Sequence, residues 1–136
     1  MTKNVLIIGG NSDIARNLAD NLIKKKFVVI LVLNKKKNLL SNDINYNIFY
    51  NDITDFAKTK KLLFKLKKIY KNINYTVINS AIIDKKKNPY SIKSSREVFE
   101  LNLFANLNIT LLLLKVFQNS LKKIIHISSD ASIYGS

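Results

Sequence analysis

Val5-Leu6-Ile7-Ile8-Gly9-Gly10-Asn11-Ser12-Asp13-Ile14-Ala15 decides the fold. Four apolar residues run into two glycines. From Ser12 the period changes, with Ile14, Leu18 and Leu22 recurring at i, i+4 and i+8 and Ala15 and Ala19 beside them. A short apolar run, a glycine turn and a helical repeat predict a buried strand, a tight turn and a helix capped by Ser12 or Asn11. Lys24–Lys26 suit the C-terminus of that helix, where positive charge meets the negative end of its dipole.

The same alternation continues outward. Phe27–Leu33 (FVVILVL) is apolar on both faces, the mark of a strand covered on both sides in a parallel sheet. Asn47–Tyr50 is a weaker third strand. Phe56, Thr59, Leu63, Leu66 and Tyr70 trace one face of a helix beginning at Asp55, with lysines on the other face. Tyr75–Ile78 is a fourth strand, followed by a polar loop over 84–95 that holds the only proline. A long helix spans about Ser95–Asn119, with Val98, Leu101, Ala105, Ile109, Leu112 and Val116 expected inward. Ile124–Ile127 is the fifth strand. Strands alternating with helices imply right-handed crossovers and an α/β doubly wound parallel sheet, with the strand order 3-2-1-4-5. Ligands of such sheets bind at the carboxyl ends of the strands, where the order reverses between the first and the fourth. Gly9-Gly10, Asn34, Asp52, Asn79 and Ser129 all fall just past strand ends, so five polar or glycine positions are expected on one edge.

Composition narrows the function classes. A length of 136 residues holds one domain with one core, residues 1–136, and not two. The absence of cysteine excludes a disulfide scaffold, a thiolate metal site and a cysteine nucleophile, and a single His argues against a metal site; none is expected. The net charge of +14 suggests nucleic acid or an acidic membrane at first sight. Yet 21 of the 23 basic residues are Lys, and Asn (18) and Ile (19) are also abundant. All three residues have A/T-rich codons, and base readout favours the bidentate guanidinium of Arg, of which there are only Arg16 and Arg96. No nucleic-acid partner is therefore expected. Seven residues is the longest apolar run, against about 20 for a bilayer span, so no membrane partner and a cytoplasmic location are expected.

The turn over 8–15 can bind a phosphate, because glycine lets the backbone approach and the helix start offers free N–H groups. Only the first of the three glycines of the dinucleotide fingerprint is in place, as Gly9; Asp13 or Ser12 stands at the second and Ala15 at the third. A plain tight turn fits this stretch equally well. Five stretches together carry more: Ile8–Ala15, Asn51-Asp52-Ile53-Thr54-Asp55, Asn79-Ser80-Ala81-Ile82, Leu101-Asn102-Leu103 and Ile127-Ser128-Ser129. In this order and spacing they resemble the short-chain dehydrogenase/reductase family over the whole chain. Ile8, Ser80 and Ile82 depart from the family's usual residues.

The resemblance implies a Rossmann-like domain that moves a hydride between a nicotinamide cofactor and a small carbonyl or alcohol substrate. It implies cofactor contacts at Gly9, Gly10, Asn11, Ser12, Asp13, Ile14, Asn34, Lys35, Asp52, Ile53, Asn79, Ser80 and Ala81. It implies Ser129 as the catalytic Ser and Asn102 as the catalytic Asn. As residues alone, Ser129 reads rather as a strand-end cap and Asn102 as a polar group bonded within its helix. The family's Tyr-x-x-x-Lys acid/base pair is not present, since Tyr134 would need its Lys at position 138. The sheet is thus expected to be incomplete at its C-terminus, the sequence to be the N-terminal part of a longer reductase, inactive alone, and the full-length protein to form a homo-oligomer. At the end of the second strand a carboxylate would repel a 2′-phosphate, but Asn34-Lys35-Lys36-Lys37 stands there, which favours NADP over NAD.

Two other readings stay open. Ser128–Gly135 also resembles the Ser-Ser…Tyr-Gly signature of the extended nucleotide-sugar epimerases and dehydratases. A non-catalytic dinucleotide-binding or scaffold protein is the alternative of a different class.

Overall fold

The computed structural model describes residues 2–34, 46–81 and 92–128. Five parallel strands, β1 (Asn4–Ile8), β2 (Val28–Leu33), β3 (Asn47–Tyr50), β4 (Tyr75–Ile78) and β5 (Lys123–His126), form one sheet in the order β3-β2-β1-β4-β5. The expected doubly wound order is therefore observed. Helices α1 (Asp13–Lys24), α2 (Phe56–Tyr70), α3 (Ile92–Phe99) and α4 (Asn106–Phe117) flank it, and a π-helical segment, Glu100–Ala105, joins the last two.

The alternation of side chains along each strand divides the core in two. Leu6, Ile8, Ile30, Val32 and Ile78 face α2 and α4, packing with Leu62, Leu63, Leu66, Ala105, Ile109, Leu113 and Phe117. Val5, Ile7, Val29, Leu31, Leu33 and Val77 face α1, through Ala15 and Ala19. Small residues on α1 let that helix lie close to the sheet, directly after the glycine turn.

Several details differ from the sequence reading. Ile14 does not point inward but is 60% exposed, because it lies in the first turn of α1, beyond the end of the sheet. Phe56 is exposed for the same reason, at the first position of α2. The long helix begins at Ile92, and its buried positions are Ala105, Ile109, Leu113 and Phe117; Leu112 and Val116 are only half-buried. A spacing of four follows a row inclined to the helix axis, as expected where α4 packs on α2 as well as on the sheet. β5 is Lys123–His126, one residue earlier than expected. By length and composition, the helical stretch Ser95–Phe117 would pass for a membrane span. Here its inner row is fully buried against the sheet and α2.

Candidate functional site

The carboxyl ends of β1, β2, β3 and β4 open into a cleft of about 190 Å³. Its wall includes Gly9, Asn11, Ser12, Asn34, Asp52, Ile53, Asn79, Ser80 and Ala81, nine of the expected site residues. Strand order puts it at the β1/β4 switch point.

The glycine turn is built by the backbone. The N–H groups of Gly9 and Gly10 both donate to the carbonyl of Val32 at 3.0 Å, so the chain turns across the end of β2. Gly9 has φ +83°, and a Cβ there would lie 2.3 Å from the carbonyl oxygen of Asn79. Only glycine combines that left-handed backbone with such close approach of β1 to β4. Gly10 has a different role: it is buried, and its α-carbon packs towards Leu31 and Leu33. It lies outside the cleft wall.

Ser12 caps α1, accepting from the Ala15 N–H at 3.1 Å. The same oxygen accepts from the Asn79 side-chain amide at 2.5 Å. With two donors on the oxygen, the Ser12 hydroxyl proton is left as a donor in the cleft wall. Asp13 and Ile14 do not line the cleft, but their N–H groups belong to the first helical turn, outside the helix's own ladder. An anion beside the turn would meet them and the positive end of the α1 dipole. The Asn11 side chain accepts from the Asn34 N–H at 3.1 Å, linking the glycine turn to the end of β2. Arg16 Nε donates to the Gly10 carbonyl at 2.9 Å, and its guanidinium lies over the Tyr46 ring.

On the β3 side, one Asp52 carboxylate oxygen accepts from the Thr54 N–H at 3.0 Å and from its hydroxyl at 2.7 Å. Asp55 then caps α2 by accepting from the Lys58 N–H at 3.0 Å. That bond, with the Lys58 ammonium 3.0 Å away, holds the Asp55 carboxyl below its ordinary value.

Asn102 lies in the π-helical segment, exposed and outside the cleft wall. The extra residue per turn displaces the local backbone from the α-helical ladder. Its carbonyl accepts from the Asn106 side-chain amide at 3.1 Å, and the same amide reaches the Ser80 carbonyl at 3.0 Å. Asn106 therefore ties the π-segment to the end of β4. Tyr70 packs edge-on to Phe49, and burial raises its phenol pKa, the wrong direction for a base at neutral pH.

Lys35 and Ser129 lie outside the described residues, as do Lys36, Lys37, Ile82, the loop around Pro89 and Tyr134. Four cleft residues were not anticipated: Ile8, Val32, Asn51 and Leu101. Ile8 and Val32 are strand ends whose apolar character spoke only of the core. Leu101 fits the apolar period of the long helix, which speaks for the core and not for a cleft. Asn51 carried one signal, a polar residue directly before Asp52 at the end of an apolar strand.

The fit to a dinucleotide rests on this geometry: a turn closed to a Cβ at Gly9, a helix N-terminus and a row of polar side chains along the strand ends. No curated protein matches the sequence. Solved structures of the same fold include ElxO with NADP bound, with a TM-score of 0.84, 23% identity, and coverage of 100% of this chain and 59% of that one. They include the NADH-dependent reductase A1-R' complexed with NAD, at 0.90 and 19%, covering 99% of this chain and 62% of that one. The ligand-free aldohexose dehydrogenase of Thermoplasma acidophilum is similar at 0.80 and 22%, covering 94% of this chain and 49% of that one. The chain thus spans between 49% and 62% of the length of these three. At these identities they establish the fold. The model of the family described as short chain dehydrogenase matches residues 3–136, and the chain belongs to that family.

Proposed function

We propose that this chain supplies the cofactor-binding part of an NAD(P)-dependent oxidoreductase that transfers a hydride between a nicotinamide and a small carbonyl or alcohol substrate. The observation that carries the reading is the cleft at the β1/β4 switch, with the Gly9 turn, Ser12 and the start of α1 on one side and Asp52, Ile53 and Asn79–Ala81 on the other. Gly9, Ser12 and the N–H groups of Asp13 and Ile14 hold the pyrophosphate; Asp52 and Ile53 meet the adenine; Asn79, Ser80 and Ala81 border the nicotinamide half. When bound, the cofactor supplies or accepts the hydride. Asn102 and Ser129 are the proposed positions for proton relay and for holding the substrate oxygen.

The phosphorylated cofactor is preferred in this reading. Asn34 closes β2 without a carboxylate, and Lys35–Lys37 follow in the sequence. A negative side chain there would repel a 2′-phosphate, whereas amide and ammonium groups attract it. In this reading the full-length protein forms a homo-oligomer. This is supported by an exposed apolar row on the long helix, Leu103, Leu107, Leu111 and Leu114. A cytoplasmic protein acting on a small molecule, with neither a nucleic-acid nor a membrane partner, completes the proposal.

Calorimetric titration of the chain with each cofactor tests the reading. NADP is expected to bind at least fivefold more tightly than NAD. Tighter NAD binding would remove the cofactor preference, and no binding of either would remove the site.

A further inference from the structure

Two polar residues sit together where the β3–α2 turn meets the core. Asn51, 9% exposed, directly follows β3 and lines the cleft; Thr59 is fully buried in α2, outside the cleft wall. The Asn51 side-chain amide donates to the Thr59 hydroxyl oxygen at 2.9 Å. That hydroxyl donates in turn to the main-chain carbonyl of Ile53 at 3.4 Å. The Asn51 N–H is held separately by the Leu33 carbonyl at 2.9 Å.

The surroundings make this pair unusual. Ile53, Leu62 and Leu63 are buried apolar neighbours in sequence, members of the larger core cluster. An amide and a hydroxyl taken out of water there cost desolvation that their mutual bond only offsets, and an apolar pair of similar shape would serve packing as well or better. Capping does not need Thr59 either, because Asp55 already caps α2. What the pair does uniquely is geometric. It ties Asn51 and Ile53, the residues on both sides of Asp52, to one point on a rigid helix. The Asp52–Thr54 bonds then set the carboxylate within that frame.

Resting on the dinucleotide reading above, we propose that Thr59 is a positioning residue for the purine end of the cofactor. Its hydroxyl fixes the Asn51 amide and the Ile53 carbonyl, and so the angle at which Asp52 and Ile53 face the cleft. Thr59 touches no ligand itself; its effect passes through the turn.

Two substitutions separate shape from hydroxyl. Thr59→Val keeps the shape and loses the hydroxyl, and Thr59→Ser does the reverse. The probes are 5′-AMP, which reads the β3–α2 side, and inorganic pyrophosphate, which reads the glycine turn. Both are titrated against the chain by amide chemical shifts. Thr59→Val is expected to weaken 5′-AMP five- to tenfold and to leave pyrophosphate within twofold. Thr59→Ser is expected to keep 5′-AMP within twofold of the parent, although it leaves the larger packing defect. Should Thr59→Val not fold, the contrast is read between Thr59→Ala and Thr59→Ser. Parent-like 5′-AMP binding by the hydroxyl-free variant overturns the proposal. So does a parallel loss for both probes, or a loss shared equally by Thr59→Ser. A parent chain that binds no adenine nucleotide takes down the dinucleotide reading and this proposal together, whereas a binding parent with an unaffected Thr59→Val takes down this one alone.

Discussion

Gly9 and Gly10 are adjacent and chemically identical, yet the turn uses them differently. Gly9 needs both a left-handed φ and room beside the Asn79 carbonyl; Gly10 meets only leucine side chains, at 3.3 Å from where its Cβ would stand. Gly9→Ala is therefore expected to destabilise the chain by about 2 kcal/mol or more, since backbone strain and a collision with main chain add. Gly10→Ala is expected to cost less, because flexible side chains can give way. Urea unfolding of the two variants checks the order, and equal losses would show that the Asn79 contact is not the constraint. The glycine turn was legible in the sequence because glycine after an apolar strand has few explanations. Its division of labour was not, since which glycine faces the cleft depends on where β4 lies, 70 residues further on. The Asn51–Thr59 bond escaped for a similar reason: Thr59 sits in the helical periodicity as a plausible core residue, and nothing local announces its partner.

At the scale of elements, the strands were readable almost to the residue: β1 and β2 as continuous apolar runs bounded by Gly or Asn, and the weaker β3 by its place in the alternation of strands and helices. The long helix was readable as a helix but not in phase. Its buried row slants towards α2, and its course includes a π-segment that no local residue pattern marks. Helix α2 offers a test of its own start. Asp55 is held below its ordinary value of 3.8 by the Lys58 N–H and ammonium. A carboxyl with a depressed folded pKa contributes stability above its unfolded pKa and loses it as pH falls through the folded one. Asp55→Asn keeps a good capping side chain without the charge. The variant is thus expected to be less stable than the parent at pH 7 and to match it near pH 2, by urea midpoints at both values. A constant gap across that range would mean that the charge on Asp55 is not what α2 uses.

The whole molecule is graded across its sheet. β1 and β2 are buried on both faces along nearly their full length. In β5 Ile125 is 42% exposed and Ile127, just past its end, 40%, on the edge furthest from β3. Among the described residues, the cleft is lined at the ends of β1, β2, β3 and β4 and not of β5. Amide hydrogen exchange should expose this gradient in time. Central amides of β1 and β2 await global unfolding, while those of β5 exchange through small local openings. A ligand held at the switch point adds RT ln(1 + [L]/Kd) to the global free energy alone, about 2.7 kcal/mol at one hundred times Kd. Saturation with NADP should then slow exchange in β1 roughly a hundredfold and leave β5 nearly unchanged. Uniform slowing across all five strands would show instead that the sheet opens as one body, so that an edge with little cover is as durable as the centre it adjoins.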